Sequence, residues 1–400
     1  MKEGWIVKKL GVCFSYIKNG ANIKQDKNSK GFPITRIETL ANGVFNRDRF
    51  GYADIFDLSN YDSFVLQDMD ILMSHINSKT YIGRSVIYKR EGSEQIIHGM
   101  NLLRLIAIKE ILNPYFANYY FKTINFKNDV AKIRKDAVNQ SSMAISDLKR
   151  ICIPIPPLEE QTKIVEELDQ LSNIIEKQRQ QLSELDNLAQ SIFYDMFGDP
   201  VTNEKGWEVE NLKSLTSKIG SGSTPKGGNE SYKDEGISLI RSLNVYNNCF
   251  KYKDLAHIDD EQATSLNNVT IEKGDVLLNI TGASVARCCI VPVDVLPARV
   301  NQHVSIIRGK DMINNLFLNY LLTSSAYQSL LIMLSKSNGA TREALTKSQL
   351  ETLKIILPPL SLQQLFAQKI EAIEQEKEII KQSIAETEEL FNSRMDYYFG

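Results

Sequence analysis

The chain has little with which to bind a metal or run a reaction. Its 400 residues include four histidines (His75, His98, His257, His303), none at metal-ligand spacing, and five cysteines (Cys13, Cys152, Cys249, Cys288, Cys289) without a C-x-x-C. A structural zinc site is not expected, and this cysteine usage fits a reducing cytoplasm better than a disulfide framework. No Ser-His-Asp arrangement or paired-carboxylate motif stands out. Long apolar runs are also missing. Phe317 to Leu334 comes nearest, but Asn319, Thr323, Ser324, Ser325, Gln328 and Ser329 interrupt it, so no membrane span is expected. No apolar stretch of signal-peptide length follows Met1 to Trp5. Tryptophan is nearly absent, and its two copies lie 202 residues apart, at Trp5 and Trp207.

That interval recurs. Ile153-Pro154-Ile155-Pro156-Pro157-Leu158-Glu159-Glu160-Gln161 opens one long helical pattern, and Ile355-Ile356-Leu357-Pro358-Pro359-Leu360-Ser361-Leu362-Gln363 opens another. The patterns close on Phe197-Gly198 and Phe399-Gly400, and Leu10 and Leu212 keep the same offset. A unit of about 200 residues is therefore used twice, within the two to four domains that the length suggests. Two such units can place similar surfaces about a pseudo-twofold axis, which suits duplex DNA.

Charge is uneven along the chain. Residues 1–157 carry +8, 158–198 carry −6, 199–359 are neutral and 360–400 carry −4, so a net charge of −2 hides a basic first lobe and acidic helices. A basic lobe suits a polyanion; the neutral second lobe lends no such support, and acidic helix faces fit plain solvation.

Residues 158–197 follow a heptad. Ile164, Leu171, Gln178, Leu185 and Ile192 fall at d, and Leu168, Ile175, Leu182, Ala189 and Met196 at a. Residues 360–397 repeat it with more breaks: Phe366, Ile373, Ile380, Thr387 and Arg394 at d; Ile370, Lys377, Ile384, Phe391 and Tyr398 at a. Burial of Lys377, Thr387 or Arg394 is costly, so these mark ends or set register. The prolines disfavour helix just before each start, and Gly198-Asp199-Pro200 stops the first helix. The natural partner of one helix is the other, antiparallel; pairing between molecules and docking of each helix on its own lobe remain open.

The lobes read as mixed α/β. Strands are expected at Asp70–Met73, Gly83–Tyr88 and Asn101–Ile106, and at Gly274–Ile280, Arg287–Val291 and Val304–Arg308, with helices over Pro114–Thr123 and Leu316–Leu334. The lobes correspond in layout more than residue by residue.

With these residues in place, the chain resembles the specificity subunit of type I restriction–modification systems. The resemblance rests on the two proline-to-helix motifs, on Gly222-Ser223-Thr224-Pro225 after Trp207, on Gly274-Asp275-Val276-Leu277-Leu278, on Val300-Asn301-Gln302-His303 and on Gly339-Ala340-Thr341-Arg342. It spans essentially the whole chain. The first lobe departs from it: no Gly-Ser-Thr-Pro occurs there, and Ile17-Lys18-Asn19-Gly20 stands where the second lobe has Ile219 to Gly222.

The resemblance implies an α+β fold. Two mixed α/β target recognition domains, residues 1–157 and 199–359, are joined by long spacer helices, 158–198 and 360–400, forming an antiparallel coiled coil with an internal pseudo-twofold repeat. The implied role is non-catalytic: each domain reads one half of a bipartite target in double-stranded DNA, while the helices set the gap and dock two methyltransferase subunits, which restriction/translocase subunits join. S-adenosylmethionine and ATP would bind those partners, not this chain. The competing reading is a coiled-coil scaffold without DNA reading.

Base edges are read by Arg and Asn or Gln, and phosphates by Lys and backbone groups. Lys24, Lys27, Lys30 and Arg36 are the expected contacts in the first lobe, and Thr224, Lys226, Arg241 and Arg342 in the second. Asp48 is placed by sequence to tie up Arg47 or Arg49. The expected helix seam comprises Ile164, Leu168, Leu171, Ile175, Leu182, Leu185, Ile192, Phe366, Ile370, Ile373, Ile380, Ile384 and Phe391. Asn113-Pro114-Tyr115-Phe116 looks like the amine-presenting N-P-P-[YF] motif of amino-methyltransferases, but its tyrosine and the missing glycine-rich loop favour a helix start. Gly220 to Gly228 lacks Walker spacing and reads as a loop near DNA rather than a nucleotide cradle.

Overall fold

Both proline motifs open helices. In the computed structural model, which describes residues 4–137, 140–225, 227–336 and 343–400, helices of 40 residues run Leu158–Phe197 and Leu360–Phe399. A glutamine fixes each entry. The Gln161 amide donates to the carbonyls of Pro156 (2.9 Å) and Ile111 (3.0 Å), and its oxygen accepts from the Asn113 backbone N–H (2.8 Å). Gln363 repeats this with Pro358 (2.8 Å), Met312 (3.4 Å) and the Asn314 N–H (2.8 Å). Both glutamines are fully buried, so each is a saturated polar clamp between the long helix and the turn before a shorter one. Asn113 and Asn314 in turn cap those shorter helices, Pro114–Tyr120 and Asn315–Thr323. Asn113-Pro114 is thus a helix start.

The chain divides into two compact units, Met1–Arg179 with Gln382–Gly400, and Gln180–Lys381. In the first, Ile6–Lys9 pairs antiparallel with Cys152–Ile155. A four-stranded antiparallel sheet has the order Phe14–Asn19, Leu102–Ala107, Ile71–Ser74, Ser85–Ile87. Its central strands are buried on both faces, with side chains alternating between them. Ile71, Met73, Leu103 and Leu105 pack toward Phe116, Phe121 and Phe126, while Leu72 and Leu102 face Leu40, Leu66 and Tyr88.

The second unit repeats the frame. Glu208–Asn211 pairs with Lys354–Leu357, and the sheet order is Thr216–Ser221, Val304–Gly309, Val276–Asn279, Cys288–Ile290. The buried strands alternate likewise, with Val276 and Leu278 on one side and Leu277 and Ile306 on the other. Two glycines share a job: a side chain on Gly20 would collide with the His98 carbonyl oxygen, and one on Gly222 with that of Val300. The edge strand leaves its sheet through a gap that admits only backbone. One expectation needs correction. Leu316–Leu334 is not one helix but two, Asn315–Thr323 and Ser325–Lys336. Ser324 turns extended between them, and its hydroxyl accepts from the Tyr327 N–H (3.4 Å) as a new N-cap.

The segments after the two edge strands differ. Residues 222–275 hold a three-stranded sheet, Ala256–Ile258, Ile237–Ile240 and Ala298–Val300, the last strand lying outside this segment and pairing in parallel. Residues 20–70 instead hold 3-10 turns and isolated bridges such as Asp26 with Tyr52 and Ile34 with Ile97.

In each unit a piece of one long helix lies against a piece of the other, residue numbers rising on one as they fall on its neighbour. In the first unit Glu167 meets Arg394 (2.9 Å to Nη2) and Tyr398 (2.5 Å), and the Gln178 amide donates to the Ser383 hydroxyl (2.7 Å). In the second, Lys377 is nearly buried between Asp186 (2.7 Å) and Glu374 (2.8 Å), and Phe193 packs edge-on to Phe366 (5.7 Å). Arg394, Tyr398, Lys377 and the Gln178 amide nitrogen are thus matched across the helices, whereas the buried Gln178 amide oxygen finds no partner among the described residues and the Thr387 hydroxyl donates to the Ser383 carbonyl of its own helix (2.8 Å). Of the expected seam residues, Ile164, Leu168, Ile175, Phe366, Ile370 and Ile373 are buried, and Leu171, Leu182, Leu185, Ile192, Ile380, Ile384 and Phe391 are half-buried. Several of them also enter the lobe cores: Ile164 and Leu168 join Met395 and Phe399 in the first, and Phe366 and Ile370 join Phe193 and Phe197 in the second.

Candidate nucleic-acid interface

The second unit gathers two of its sequence motifs on one edge. The Thr224 hydroxyl donates to the Gln302 amide oxygen, the Gln302 amide nitrogen lies 3.2 Å from His303 Nε2, and His303 Nδ1 lies 2.6 Å from the Thr281 hydroxyl. Asn301 Oδ1 accepts from the His303 N–H (3.0 Å), fixing the turn. This polar row runs to a cleft of about 540 Å³ lined by Ser242, Tyr246, Thr281, Arg287, His303 and Glu343. Amide, hydroxyl and imidazole groups along such an edge supply both donors and acceptors, as base edges require.

The other expected contacts fare differently. Arg241 is engaged: its guanidinium donates to the Asp254 carbonyl oxygen and lies 5.1 Å from the Tyr232 ring centroid. Lys226 and Arg342, with the rest of Gly339–Arg342, lie outside the described residues. In the first unit Lys24, Lys27 and Lys30 are exposed on the 20–70 segment, where the Lys30 N–H is tied to Asp54 (2.9 Å). Arg36 is half-buried and ion-paired with Glu38 (3.5 Å).

Asp48 does not tie up Arg47. Arg47 pairs with Glu94 (2.7 Å) and Glu91 (2.8 Å), more than forty residues away in sequence. The Arg47 hydrogen bond pulls the Glu94 carboxyl down to about 2. Arg104 and Arg308 are likewise held, by Asp70 (2.6 Å) and Asp275 (2.7 Å). Burial pushes the Asp70 carboxyl up, against the pull of its hydrogen bond from Gln67 and of Arg104. His75 and His98 are buried neutral imidazoles; desolvation lowers them to about 4 and about 3. No group of histidine, cysteine and carboxylate residues fit to hold a metal exists among the described residues.

Two arginines escaped the sequence reading. Arg84 and Arg287 each stand directly before the outer strand of the four-stranded sheet, 203 residues apart, with the guanidinium 4.3 Å from the Tyr81 ring centroid and 4.4 Å from that of Tyr246. The signal was present as an arginine preceding a buried strand in both copies.

The family model for the type I restriction modification DNA specificity domain matches residues 2–186 and again 204–389. A protein of Methanocaldococcus jannaschii, named as a specificity subunit of the type I restriction enzyme MjaX, is 32% identical over 391 residues, covering 93% of this chain and 87% of that protein. The type I restriction enzyme EcoKI specificity subunit of Escherichia coli K12 is 26% identical over 200 residues, 49% of this chain and 42% of that one. Among solved structures, the S subunit of a type I restriction-modification system from M. genitalium superposes with a TM-score of 0.58 at 14% identity, covering 98% of this chain and 95% of that one. At that identity the likeness speaks to the fold.

Proposed function

Because the chain belongs to the type I restriction modification DNA specificity domain family, we propose that it is the DNA sequence-specificity subunit of a type I restriction–modification complex. Target recognition domains at 1–157 and 199–359 each read one half of a bipartite site in double-stranded DNA. The long helices, 158–198 and 360–400, form an antiparallel coiled coil about a pseudo-twofold, set the gap between halves and dock two methyltransferase subunits. Restriction/translocase subunits complete the assembly. The chain itself is non-catalytic and works in the cytoplasm, and S-adenosylmethionine and ATP belong to its partners. No helix among the described residues is long and apolar enough to cross a membrane.

The observation that carries this reading is one sheet frame used twice with unlike segments set into it. A common frame serves common partners; unlike segments serve unlike half-sites. A helix of 40 residues is about 60 Å long, and with overlap it suits half-sites about one DNA turn, ~34 Å, apart. The test is to assemble the full chain with its methyltransferase subunit and map the sites modified in a random duplex library. A two-part motif with a fixed gap is expected. Modification without sequence preference, or no binding in an electrophoretic shift, would leave a scaffold without DNA reading.

A further inference from the structure

We infer that Arg84 and Arg287 are matched base-reading residues, one for each half-site, each held ready on a tyrosine ring. The inference rests on the proposed role in DNA specificity and names residues for it.

The two sit in the same turn. In the first unit the Arg84 N–H donates to the Tyr81 carbonyl (3.2 Å) and its carbonyl accepts from Ser74 (2.9 Å); in the second, the Arg287 N–H donates to the Ser284 carbonyl (3.2 Å) and its carbonyl accepts from Asn279 (2.8 Å). The residue before each arginine has positive φ, 81° at Gly83 and 73° at Ala286. A turn kept so closely that alanine adopts a left-handed conformation delivers the arginine to one place on the frame. The tyrosines are not equivalent. Tyr81 belongs to the turn itself, whereas Tyr246 comes from the strand Val245–Tyr246, so the stacked arrangement is built in two ways.

Neither guanidinium is committed elsewhere. Arg47, Arg104 and Arg308 are neutralised by carboxylates, but among the described residues no ion pair or side-chain hydrogen bond engages Arg84 or Arg287. Each shares a cleft with one glutamate, Glu38 and Glu343 respectively, and each glutamate already faces another cation, Arg36 (3.5 Å) and Lys336 (3.6 Å). Both arginines are half-buried, and Tyr81 and Tyr246 are 41% and 37% exposed. A ring 4.3–4.4 Å from the guanidinium carbon limits the rotamers of the side chain, while no side-chain hydrogen bond among the described residues occupies its N–H groups. That is the preparation a planar fork needs to meet the N7 and O6 acceptors of guanine. A flexible lysine would serve a phosphate equally well; a stacked arginine serves an acceptor of fixed geometry.

The test uses the full chain in complex with its methyltransferase subunit on a random duplex library, comparing wild type with Arg84→Lys and Arg287→Lys. Lysine keeps the charge and loses the fork. Each variant is expected to relax one position in one half of the motif, by roughly five- to hundredfold in discrimination, with the other half unchanged and the two variants affecting opposite halves. A uniform loss across sequences, or an unaltered motif, overturns the inference. A variant too weak to modify is scored by electrophoretic shift of the same complex on duplexes carrying single changes in either half, under the same two criteria. A wild-type complex that yields no two-part motif counts against the proposed function instead.

Discussion

The two units share a frame and differ in what it carries. In both, the edge strand leaves past a carbonyl that tolerates only glycine, a glutamine clamps the long helix, and an arginine follows a left-handed turn residue. Between the edge strand and the next strand of the sheet, the first unit spans residues 20–70 with bridges, short turns and exposed lysines, and the second spans 222–275 with most of an extra sheet. Frame positions are fixed by buried backbone polar groups and close packing, which leave few alternatives. Surface segments pay no such penalty and can diverge. The charge follows the same split, with a basic first lobe and a neutral second one.

The sharpest way to break the comparison is at the helix ends. Phe197 packs against Phe317 (4.7 Å) and Phe366 (5.3 Å) in the second unit, and Phe399 against Phe116 (5.1 Å) in the first. Alanine at either should cost about 3–5 kcal/mol. Hydrogen exchange should show Phe197→Ala loosening the second unit and Phe399→Ala the first. Loss of protection in the opposite unit alone would contradict the packing.

Next come the clamps. Gln161→Leu and Gln363→Leu each strand a backbone N–H and two carbonyls, for a cost of roughly 2–3 kcal/mol in urea unfolding. Equal costs support a shared frame; a neutral substitution at one site would show that its clamp is dispensable.

Acid should separate the units. The folded first unit keeps His75 and His98 neutral down to about 4 and about 3, while the unfolded chain protonates them near the ordinary value of about 6.5. The unfolded state therefore binds more protons below about pH 6.5, and stability falls as pH drops from there toward 4. The corresponding positions in the second unit, Val300 and Ile280, do not titrate. His98→Val should flatten this part of the pH–stability curve of the first unit; an unchanged slope would remove His98 as its source.

The smallest effect is expected in the arginine turn. Gly83→Ala should lose about 1 kcal/mol through its positive φ, with Val130 only 3.2 Å from the added carbon. Ala286→Gly should change stability by less, because relief of the same conformation is offset by glycine's greater unfolded entropy. Thermal unfolding of both variants would rank them.

Much of this fold is legible in the sequence. Proline-to-helix motifs and heptads are short-range patterns, and Ile71–Ser74 and Val276–Asn279 stood out as apolar runs because both faces of those strands are buried. The split at Ser324 was hidden, since its neighbours on both sides suit a helix. The interface was less legible for a physical reason: whether an arginine is left available or held depends on which distant group, carboxylate or carbonyl, reaches its guanidinium. Arg47 finds Glu94, Arg36 finds Glu38, and Arg241 folds back onto the Asp254 backbone carbonyl. Arg84 and Arg287 find rings instead. Local sequence gives no warning of either outcome.

The central claim is that unlike readers on a repeated frame are held at a set distance by the long helices. It is tested most directly by deleting residues 172–178 together with 383–389, a facing heptad from each helix, and mapping the modified motif beside that of the wild type. Seven residues shorten a helix by about 10 Å, close to three base pairs. The account predicts both half-sequences kept with a gap narrower by about three base pairs, or modification lost where the shortened chain cannot span its site. Efficient modification of the original motif with its gap unchanged would contradict it.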